Sequence, residues 1–397
     1  MITFQETLSN TKLSLIELIA FNICFYFFPW ISFLITLITL YHAYKIYSEF
    51  LLPFSIKLKR KTSMKSMLEN PKESNIIFSE KTPIPKILKP NELLIKIYSS
   101  SINPVDYKFN ISKIPILRWY FFPYFNIGRD ISGIIIDKGE KVTKFNIGDF
   151  IYGFSKKGSL QEYTISNENE ILKKPDNITF NEASSLPLIT LTAYQSLFWF
   201  YNKEELKDKK ILIIGASGGV GHIGIQLSKY FNMKVYGICS SKNSNFVLNY
   251  GIEKVFNYDN KESLNNCLNE KFDFIFDTVS SYEKIDGNQY DIYCKTLSNN
   301  GKYVCINGNF FKFFFGVINS FFNIKLFEKK NHHLHLLMKF RYNDIENIGK
   351  IIEEGKIKPY INVREFNKDE VVKAFDELKG RRTKGKIVFE IFKDDTK

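Results

Sequence analysis

Closely spaced glycines follow an apolar strand pattern near the middle of the chain. Residues Ile211 to Ile214 predict a buried parallel strand, and residues Val220 to Tyr230 predict an amphipathic helix soon after it. The glycines between them let the backbone turn tightly and approach a pyrophosphate at the helix N-terminus. A dinucleotide-binding turn is therefore predicted at Gly215, Ser217, Gly218, Gly219, Val220 and Gly221.

The end of the next predicted strand indicates which dinucleotide this turn would bind. That strand covers Lys234 to Ile238, which gives the strand–helix–strand unit its expected length of about thirty residues. Sites for NADH usually place Asp or Glu after this strand, where the carboxylate binds the ribose 2′-hydroxyl. This chain instead has Ser240, Ser241, Lys242 and Asn243, whose donors suit the 2′-phosphate of NADPH. The same residues can also cap the following helix.

The composition fits one enzyme of two closely associated domains. The chain has 397 residues, of which 44% are hydrophobic, enough for a sizeable core. The formal net charge of +13 comes from lysines spread along the sequence, so we expect a solvated basic surface and no nucleic-acid partner. The five cysteines show neither a CxxC pair nor metal-ligand spacing, which predicts reduced thiols.

The segment from Leu18 to Tyr44 contains no Asp, Glu, Lys or Arg. A helix of this length would reach roughly 40 Å, more than the hydrocarbon core of a bilayer requires. The segment has no small-residue cleavage site and no Arg-rich character, so we predict a membrane helix within an anchor of residues 1–55. Two shorter interfacial helices divided at Pro29, or one hydrophobic helix packed on the enzyme, are the alternatives.

Basic residues are more frequent after this segment than before it. The positive-inside rule then predicts a single-pass membrane protein whose catalytic domain faces the cytoplasm, and the endoplasmic reticulum and the mitochondrial outer membrane both fit. Residues 56–74 are predicted to be a basic linker that can also contact anionic lipid. The basic residues that follow the segment are Lys45, Lys57, Lys59, Arg60, Lys61 and Lys65, against Lys12 before it.

Short strand patterns before the glycine turn predict a β-rich domain. They cover Glu92 to Ser99, Asp130 to Lys138 and Phe150 to Phe154. Further motifs stand in order along the chain: SSINPVDYK at 100–108, GRDISG at 128–133, VTKFNIGD at 142–149, LPLITLTAY at 186–194, the glycine turn, and GKIV at 385–388. With these motifs, the region of about residues 75–393 resembles the zinc-independent medium-chain dehydrogenase/reductase superfamily. The resemblance is to its quinone oxidoreductase group, in particular the reticulon-4-interacting, mitochondrial quinone oxidoreductase-like branch.

The resemblance implies an α/β fold in which a GroES-like β-barrel domain is interrupted by a Rossmann domain with a doubly wound parallel sheet. We expect the GroES-like catalytic domain at residues 75–195 and 340–397, and the Rossmann NADPH-binding domain at residues 196–339. The predicted membrane helix precedes both domains. A cleft between the two domains would hold NADPH and substrate.

The positions of zinc ligands in related enzymes carry other residues here. Zinc-dependent relatives place a Cys ligand at the position of Asn103, and a His-Glu pair at the positions of Arg129 and Asp130. The resemblance therefore implies no catalytic metal. A histidine cluster near the C-terminal region has no Cys or acid at ligand spacing and is interpreted as structural or surface; it consists of His332, His333 and His335.

Asn103, Lys108 and Thr192 are the predicted catalytic residues. Asn103 would orient substrate or cofactor through its amide, and the ammonium group of Lys108 would stabilise an enolate. Thr192 matches a threonine that relatives place beside the nicotinamide ribose. A salt bridge of Lys108 with an acid such as Asp106, and a helix-cap role for Thr192, are the alternatives. Relatives with a catalytic tyrosine keep it in the loop at 109–119, where this chain has none, so water is expected to deliver the proton.

Three further residues are predicted to contact the coenzyme because they match family positions. Tyr258 matches a tyrosine that flanks the adenosine 2′-phosphate. Asp277 closes a predicted strand and matches an acid near the ribose, although a turn-capping role explains it equally well. Asn307 follows a strand whose end usually reaches the nicotinamide carboxamide through backbone groups.

Together these patterns predict a membrane-anchored, NADPH-dependent reductase that transfers hydride to quinones or α,β-unsaturated carbonyl compounds without a metal. A membrane-tethered scaffold or sorting protein that binds NADPH without turnover is one alternative, and an enoyl-thioester reductase is another. The expected partners are a small apolar quinone or enone, membrane lipid and a second copy in a homodimer. The aromatic stretches 119–125 and 310–327 are predicted to form core or an apolar mouth for substrate.

Overall fold

Fifteen strands and ten helices form the described part of the computed structural model. All described residues belong to one compact unit, Lys61–Lys397. The described residues are 63–70, 75–87, 89–108, 127–280, 289–307, 332–334 and 341–393.

The strands, in chain order, divide between a hairpin and two large sheets. They are β1 Ser63–Asn70, β2 Asn75–Pro83, β3 Glu92–Ser101, β4 Asp130–Lys138, β5 Phe150–Phe154, β6 Tyr163–Asn167, β7 Ile171–Lys173, β8 Lys210–Ile214, β9 Lys234–Cys239, β10 Lys254–Asn257, β11 Phe272–Asp277, β12 Leu297–Cys305, β13 His332–Leu334, β14 Ile361–Glu365 and β15 Lys386–Glu390.

The helices connect strands within and between the two large sheets. They are α1 Pro104–Lys108, α2 Phe180–Ser185, α3 Pro187–Leu197, α4 Lys203–Leu206, α5 Gly219–Tyr230, α6 Ser244–Leu248, α7 Lys261–Leu268, α8 Gln289–Cys294, α9 Tyr342–Glu353 and α10 Lys368–Lys379. A short 3₁₀ helix, Ser241–Asn243, precedes α6.

The first large sheet has seven strands from two distant parts of the chain. Its order is β14-β15-β3-β4-β5-β7, with β6 paired to β3. All pairs are antiparallel except β14 with β15. Because β14 and β15 return to this sheet after β8 to β13 have formed another, the GroES-like domain is interrupted by the Rossmann domain, as the resemblance implied.

The second large sheet is parallel throughout, with the order β10-β9-β8-β11-β12-β13. Its central strand β8 is covered on both faces, so that Ile211, Leu212 and Ile213 are fully buried and the strand reads as a continuous apolar run. The chain order reverses between β8 and β11. Ligands of doubly wound sheets bind at such a reversal, at the carboxyl ends of the strands.

Local capping fixes the helices that lead from the first sheet to the second. Thr179 accepts a hydrogen bond from the backbone N–H of Glu182, and the Glu182 carboxylate accepts one from the Thr179 N–H. This reciprocal pair starts α2, and Pro187 then begins α3, where its missing N–H costs no hydrogen bond. The start of α3 lies beside β4, because the Leu188 N–H donates to the Asp130 side chain at the start of that strand.

Within the predicted linker 56–74, Ser63–Asn70 forms the strand β1. This strand pairs antiparallel with β2, and Met64 and Met67 are buried. A register shift between Met64 and Ser66 breaks the alternation of apolar and polar side chains. That irregularity removed the period-two signal from which a strand is predicted.

Several predicted features lie outside the described residues. These are the membrane helix at 18–44, the loop at 109–119 and the aromatic stretches 119–125 and 310–327. Among the helices that the structure describes, none is both long and apolar enough to span a bilayer.

Candidate active site

The predicted dinucleotide turn leaves β8 and enters α5 at the carboxyl edge of the parallel sheet. Gly215 has a φ of +78°, in the left-handed region that favours glycine. The N–H groups of Gly215 and Ala216 both donate to the carbonyl of Ile238, at 3.0 and 2.9 Å. A Cβ on Gly221 would lie 2.1 Å from the Gly215 carbonyl oxygen, so only glycine fits there without movement of the turn.

The N-terminus of α5 is suited to bind a pyrophosphate. Gly218 is its N-cap and provides no side-chain hydrogen bond to the helix. The first N–H groups of a helix have no partner within it, and they carry a partial positive charge. Together with the glycines that keep side chains out of the turn, these groups fit a nicotinamide dinucleotide.

The residues predicted for the 2′-phosphate gather at the end of β9. Ser240 is buried, whereas Ser241 and Lys242 are exposed in the short 3₁₀ helix. The Asn243 amide donates to the Ser217 hydroxyl at 3.2 Å, which joins this segment to the glycine turn. The structure thus brings these two predicted groups together.

The turn after β10 adds Tyr258 and an acid that we did not predict. The Tyr258 side chain is 55% exposed, and its N–H donates to the carbonyl of Cys239 at 3.2 Å. The next residue, Asp259, binds the backbone N–H and the hydroxyl of Ser241. Strand β10 lies beside β9 and runs parallel to it, so the two strands end at the same edge of the sheet. The position of Asp259, two residues after β10, was therefore the signal that could have identified it.

Asp277 is the last residue of β11, and Asn307 lies two residues after the end of the neighbouring strand β12. Asp277 is fully buried, and one of its oxygens accepts hydrogen bonds from the N–H groups of Val279 and Ser280 at 2.9 and 2.8 Å. Its other oxygen accepts from the Tyr303 hydroxyl, so these contacts are those of a turn cap. The Asn307 amide donates to the Val279 carbonyl at 2.8 Å.

A buried polar cluster on the barrel side contains the predicted residue Asn103. The side-chain oxygen of Asn103 accepts a hydrogen bond from Lys386 Nζ at 2.6 Å, and its Nδ2 donates to Asp130 Oδ2 at 2.8 Å. The Lys386 and Asp130 side chains are 3.5 Å apart at Nζ and Oδ2. All three side chains are at most 4% exposed.

Neighbouring elements hold this cluster in place. The other oxygen of Asp130 accepts from the Leu188 N–H at the start of α3, at 3.1 Å, and Ser101 donates to Oδ2 at 3.1 Å. Lys386 Nζ also donates to the Ile102 carbonyl at 2.8 Å. Burial raises the pKa of Asp130, and the Lys386 ammonium opposes that rise. Asp130 and Lys386 both belong to motifs of the sequence, but their contacts with Asn103 were not predicted.

The start of β15, the last strand of the barrel, lies against the dinucleotide turn. Gly385 pairs with Gly218, and its N–H donates to the Ser217 carbonyl at 3.0 Å. A Cβ on Gly219 would lie 3.1 Å from Lys386 Cδ. The lysine that binds Asn103 is thus also a neighbour of the first residue of α5.

His222 makes a second connection between the turn and the C-terminal region. Its Nδ1 donates to the Gly218 carbonyl at 2.8 Å, and its Nε2 accepts from the Tyr360 N–H at 3.1 Å. Burial lowers the pKa of His222 to about 4. The ring is therefore neutral at physiological pH, which agrees with one nitrogen donating and the other accepting.

The other two predicted catalytic residues are placed differently. Lys108 is the last residue of α1, and its side chain is outside the described part. Thr192 lies in the middle of α3, where its hydroxyl donates to the Leu188 carbonyl at 2.7 Å. The helix-cap alternative for Thr192 is wrong, because the helix begins five residues earlier at Pro187.

Family models match both parts of the chain. The model described as alcohol dehydrogenase GroES-like domain matches residues 89–176, and the model described as zinc-binding dehydrogenase matches residues 250–389. The 2-methylene-furan-3-one reductase of Solanum lycopersicum is 31% identical over 76% of this chain and 72% of its own length. The chain belongs to the quinone oxidoreductase group of the medium-chain dehydrogenase/reductase superfamily.

Other members of the superfamily agree with this assignment. The mitochondrial NAD(P)H oxidoreductase RTN4IP1 of Bos taurus is 29% identical over 79% of this chain and 85% of the relative. The solved structure of the quinone oxidoreductase from Coxiella burnetii is 27% identical, with a TM-score of 0.67 over 83% of this chain and 100% of that chain. This chain is accordingly an oxidoreductase of the medium-chain superfamily that uses a nicotinamide cofactor.

The predicted localisation, a single-pass membrane protein with its catalytic domain facing the cytoplasm, is wrong. The bovine relative is named as mitochondrial. The described helices also include none that could cross a membrane. The membrane helix at 18–44 was inferred from its lack of charged residues, its lack of a cleavage site and the basic residues that follow it, and it lies outside the described residues.

In the described part of the chain, no three His, Cys, Asp or Glu side chains come together as a metal site. At the positions where zinc-dependent relatives have ligands, Asn103 and Asp130 contact the Lys386 ammonium instead. His332 and His333 lie in β13, and His335 is outside the described residues.

Proposed function

We propose that this chain is an NADPH-dependent reductase of quinones or α,β-unsaturated carbonyl compounds that works without a catalytic metal. The observation that carries the proposal is the joining of the dinucleotide turn to the buried Asn103 cluster through Lys386 and Gly385. A coenzyme bound at this turn would have the Asn103 side of the barrel as its neighbour. When bound, a reduced nicotinamide supplies the hydride.

The preference for NADPH rests on the segment after β9. Ser240, Ser241, Lys242 and Asn243 supply hydroxyl, amide and ammonium donors, and β9 itself ends without an acid. Tyr258 lies at the end of the adjacent strand and offers an exposed ring beside them. Such donors favour a phosphate over a hydroxyl group.

The positive charge of Lys386 supports a reaction without a catalytic metal. This lysine contacts Asn103 and Asp130, which stand where zinc-dependent relatives have ligands. The Lys386 ammonium donates to Asn103 and lies 3.5 Å from Asp130. A divalent cation between these two side chains would be repelled by the ammonium and would have to displace it. An amide oxygen and a carboxylate already engaged by a cation make a poor zinc site.

Asn103 is proposed to bind the carbonyl oxygen of the substrate or of the nicotinamide carboxamide. Lys386 donates to its oxygen, which fixes the orientation of the amide, so Nδ2 is the donor. One hydrogen of Nδ2 binds Asp130, and the amide carries a second. We assign that second hydrogen to a carbonyl oxygen in the cleft, where it would stabilise developing negative charge.

Two further roles complete the proposal. Lys108, one turn beyond Asn103, is assigned to the enolate or quinol oxygen, and Thr192 is assigned to the nicotinamide ribose. Water is the proposed source of the proton. The substrate class draws support from relatives named for quinones and for 2-methylene-furan-3-one, in which a methylene group is conjugated with a ring ketone.

The experiment measures oxidation of NADPH and NADH by the purified full-length chain against a small quinone, a medium-chain enal and an enoyl thioester. Turnover that prefers NADPH with the quinone or the enal, unchanged after dialysis against a chelator, is expected. Turnover with the thioester alone would favour an enoyl-thioester reductase. Tight NADPH binding without turnover on any acceptor would contradict the enzyme and favour a coenzyme-binding scaffold.

A further inference from the structure

The carboxylate of Asp259 accepts hydrogen bonds from Ser241, which belongs to the segment after β9. The Ser241 N–H lies 3.0 and 3.1 Å from its two oxygens, and the Ser241 hydroxyl lies 2.6 Å from Oδ1. These contacts are at the surface, at the carboxyl edge of the parallel sheet. A carboxylate thus takes up both hydrogen-bond donors that Ser241 offers.

The register of the sheet brings this acid to Ser241. Strands β9 and β10 are parallel neighbours, with Asn257 opposite Cys239. Two residues beyond each strand end are therefore Asp259 and Ser241, and the Tyr258 N–H donates to the Cys239 carbonyl between them. The hydrogen bonds from the Ser241 side chain and backbone lower the pKa of Asp259, so the carboxylate is charged at neutral pH.

The contacts that Asp259 makes are those that a phosphate would make. Two anionic oxygens bind one N–H and one hydroxyl, which is how a 2′-phosphate would bind the same residue. We infer that Asp259 is a specificity-determining residue, whose carboxylate occupies the 2′-phosphate subsite and is displaced when NADPH binds. This inference rests on the proposed NADPH-dependent function.

The two coenzymes meet this carboxylate differently. The 2′-phosphate of NADPH carries negative charge and needs the Ser241 donors, so the carboxylate must leave them. The ribose 2′-hydroxyl of NADH is a donor and can bind a carboxylate oxygen that stays in place. Asp259 therefore lowers the affinity for NADPH. It reduces the preference for NADPH over NADH that the neighbouring hydrogen-bond donors create.

Displacement of the Asp259 carboxylate should change the affinity for NADPH only moderately, because Asp259 lies at the surface. A displaced carboxylate is hydrated again, and only its hydrogen bonds with Ser241 are lost. Exposed interactions of this kind are weak compared with buried ones. We therefore expect a change in coenzyme affinity of about tenfold rather than a complete switch.

The test compares coenzyme binding to the full-length wild type, Asp259→Asn and a matched control by calorimetry. In Asp259→Asn, the Kd for NADPH should fall by about tenfold, and the Kd for NADH should stay constant or rise by up to about threefold. The control, Asp208→Asn, removes the same charge from an exposed residue before β8, at the opposite edge of the sheet. It should change neither value, since Asn accepts the positive φ of Asp208.

Adenosine 2′,5′-bisphosphate and AMP isolate the subsite, because they differ only in the 2′-phosphate. Asp259→Asn should tighten the bisphosphate alone, and Asp259→Ser, which keeps a small polar group near Ser241, should do the same. Thermal unfolding checks that both variants fold. An unchanged or weaker affinity for NADPH, or an equal gain for both coenzymes, would overturn the inference.

The test of Asp259 and the test of the proposed NADPH-dependent function can fail independently. A wild type that prefers NADH would contradict the NADPH proposal, whereas a shift of the preference in Asp259→Asn would still identify the residue that sets it. A wild type that prefers NADPH, with no shift in the variant, would leave the function intact and remove the role of Asp259.

Discussion

Asp106 is a carboxyl group whose charge changes near physiological pH. It accepts a hydrogen bond from the Asn103 N–H at 2.7 Å, at the start of α1. Burial raises the pKa of Asp106 to about 7, and the charge of Asp130 adds to the rise, although the Asn103 hydrogen bond opposes it. In the unfolded chain the group ionises near its ordinary value of 3.8. Stability from this group is complete below about pH 4 and is lost as the pH rises towards 7.

The substitution Asp106→Asn should therefore stabilise the protein at neutral and alkaline pH. An amide oxygen can still accept from the Asn103 N–H, but it has no charge to bury. We expect a Tm at pH 8 that is higher by about 2 °C or more, and no gain at pH 4, measured by thermal unfolding across this range. A lower Tm of the variant at pH 8 would show that the carboxylate itself stabilises the fold.

Lys242 is the cation among the donors assigned to the 2′-phosphate. Replacing it by Glu puts a negative charge beside that phosphate, so Lys242→Glu should weaken NADPH binding by more than about tenfold and NADH binding by less than about threefold. Titration of both coenzymes measures the two values. Equal losses would show that the ammonium acts on the pyrophosphate or on folding.

Residue types at strand ends could be read from the sequence, but their partners could not. Asn103 was identified because relatives have a metal ligand there. Its bonds with Lys386 and Asp130 depend on contacts 283 and 27 positions apart in the chain. Asp259 was missed although the adjacent Tyr258 was predicted to flank the 2′-phosphate, because the sequence does not show which side chain of that turn contacts Ser241.

Among the elements, the dinucleotide turn was predicted closely. The strand, the turn and α5 each carry their own signal within about ten residues, namely an apolar run, spaced glycines and an amphipathic period. The observed β8 and α5 begin one residue earlier than predicted, at Lys210 and Gly219. Strand β1 escaped prediction, because its bulge disturbs the alternation on which such a prediction depends.

The close approach inside this turn makes Gly221 sensitive to substitution. In Gly221→Ala the new Cβ would lie 2.1 Å from the Gly215 carbonyl oxygen, so the turn must open. We expect a loss of about 1–3 kcal/mol in unfolding free energy and more than about tenfold in coenzyme affinity. Chemical denaturation and coenzyme titration measure these effects.

A matched control is Gly380→Ala at the exposed end of α10, where φ is −66° and the new Cβ would lie 3.2 Å from the nearest atom. It should keep coenzyme affinity. If Gly221→Ala bound the coenzyme as the wild type does, the turn would be more tolerant than its geometry indicates.

Across the whole molecule, Lys386 joins the two sheets. It begins β15 in the barrel, contacts Asn103 and Asp130, and lies beside the first residue of α5. The family resemblance predicted the interrupted domain. It did not predict this connection, because a sequence motif does not show which side chain points into a buried cluster.

Substitution of Lys386 should show how much its positive charge stabilises the buried Asp130 carboxylate. Lys386→Met leaves the Asp130 carboxylate buried without its cation, which should cost about 3–5 kcal/mol in unfolding free energy. The double variant Lys386→Met/Asp130→Asn has no buried charge there and should recover a large part of the loss. Denaturant unfolding of the four proteins gives the coupling energy. Additive losses would show that the two groups act independently.

The pairing of Gly385 with Gly218 also orders events in time during synthesis. A ribosome makes the dinucleotide turn about 170 residues before it makes β15, a delay of roughly ten to thirty seconds at 5–20 residues per second. Until then the turn lacks the strand that borders it, together with the Lys386 side chain. The nascent chain therefore gains the strand that borders this turn only after β15 has been made, and a nonsense mutation before position 385 would yield a protein without that strand.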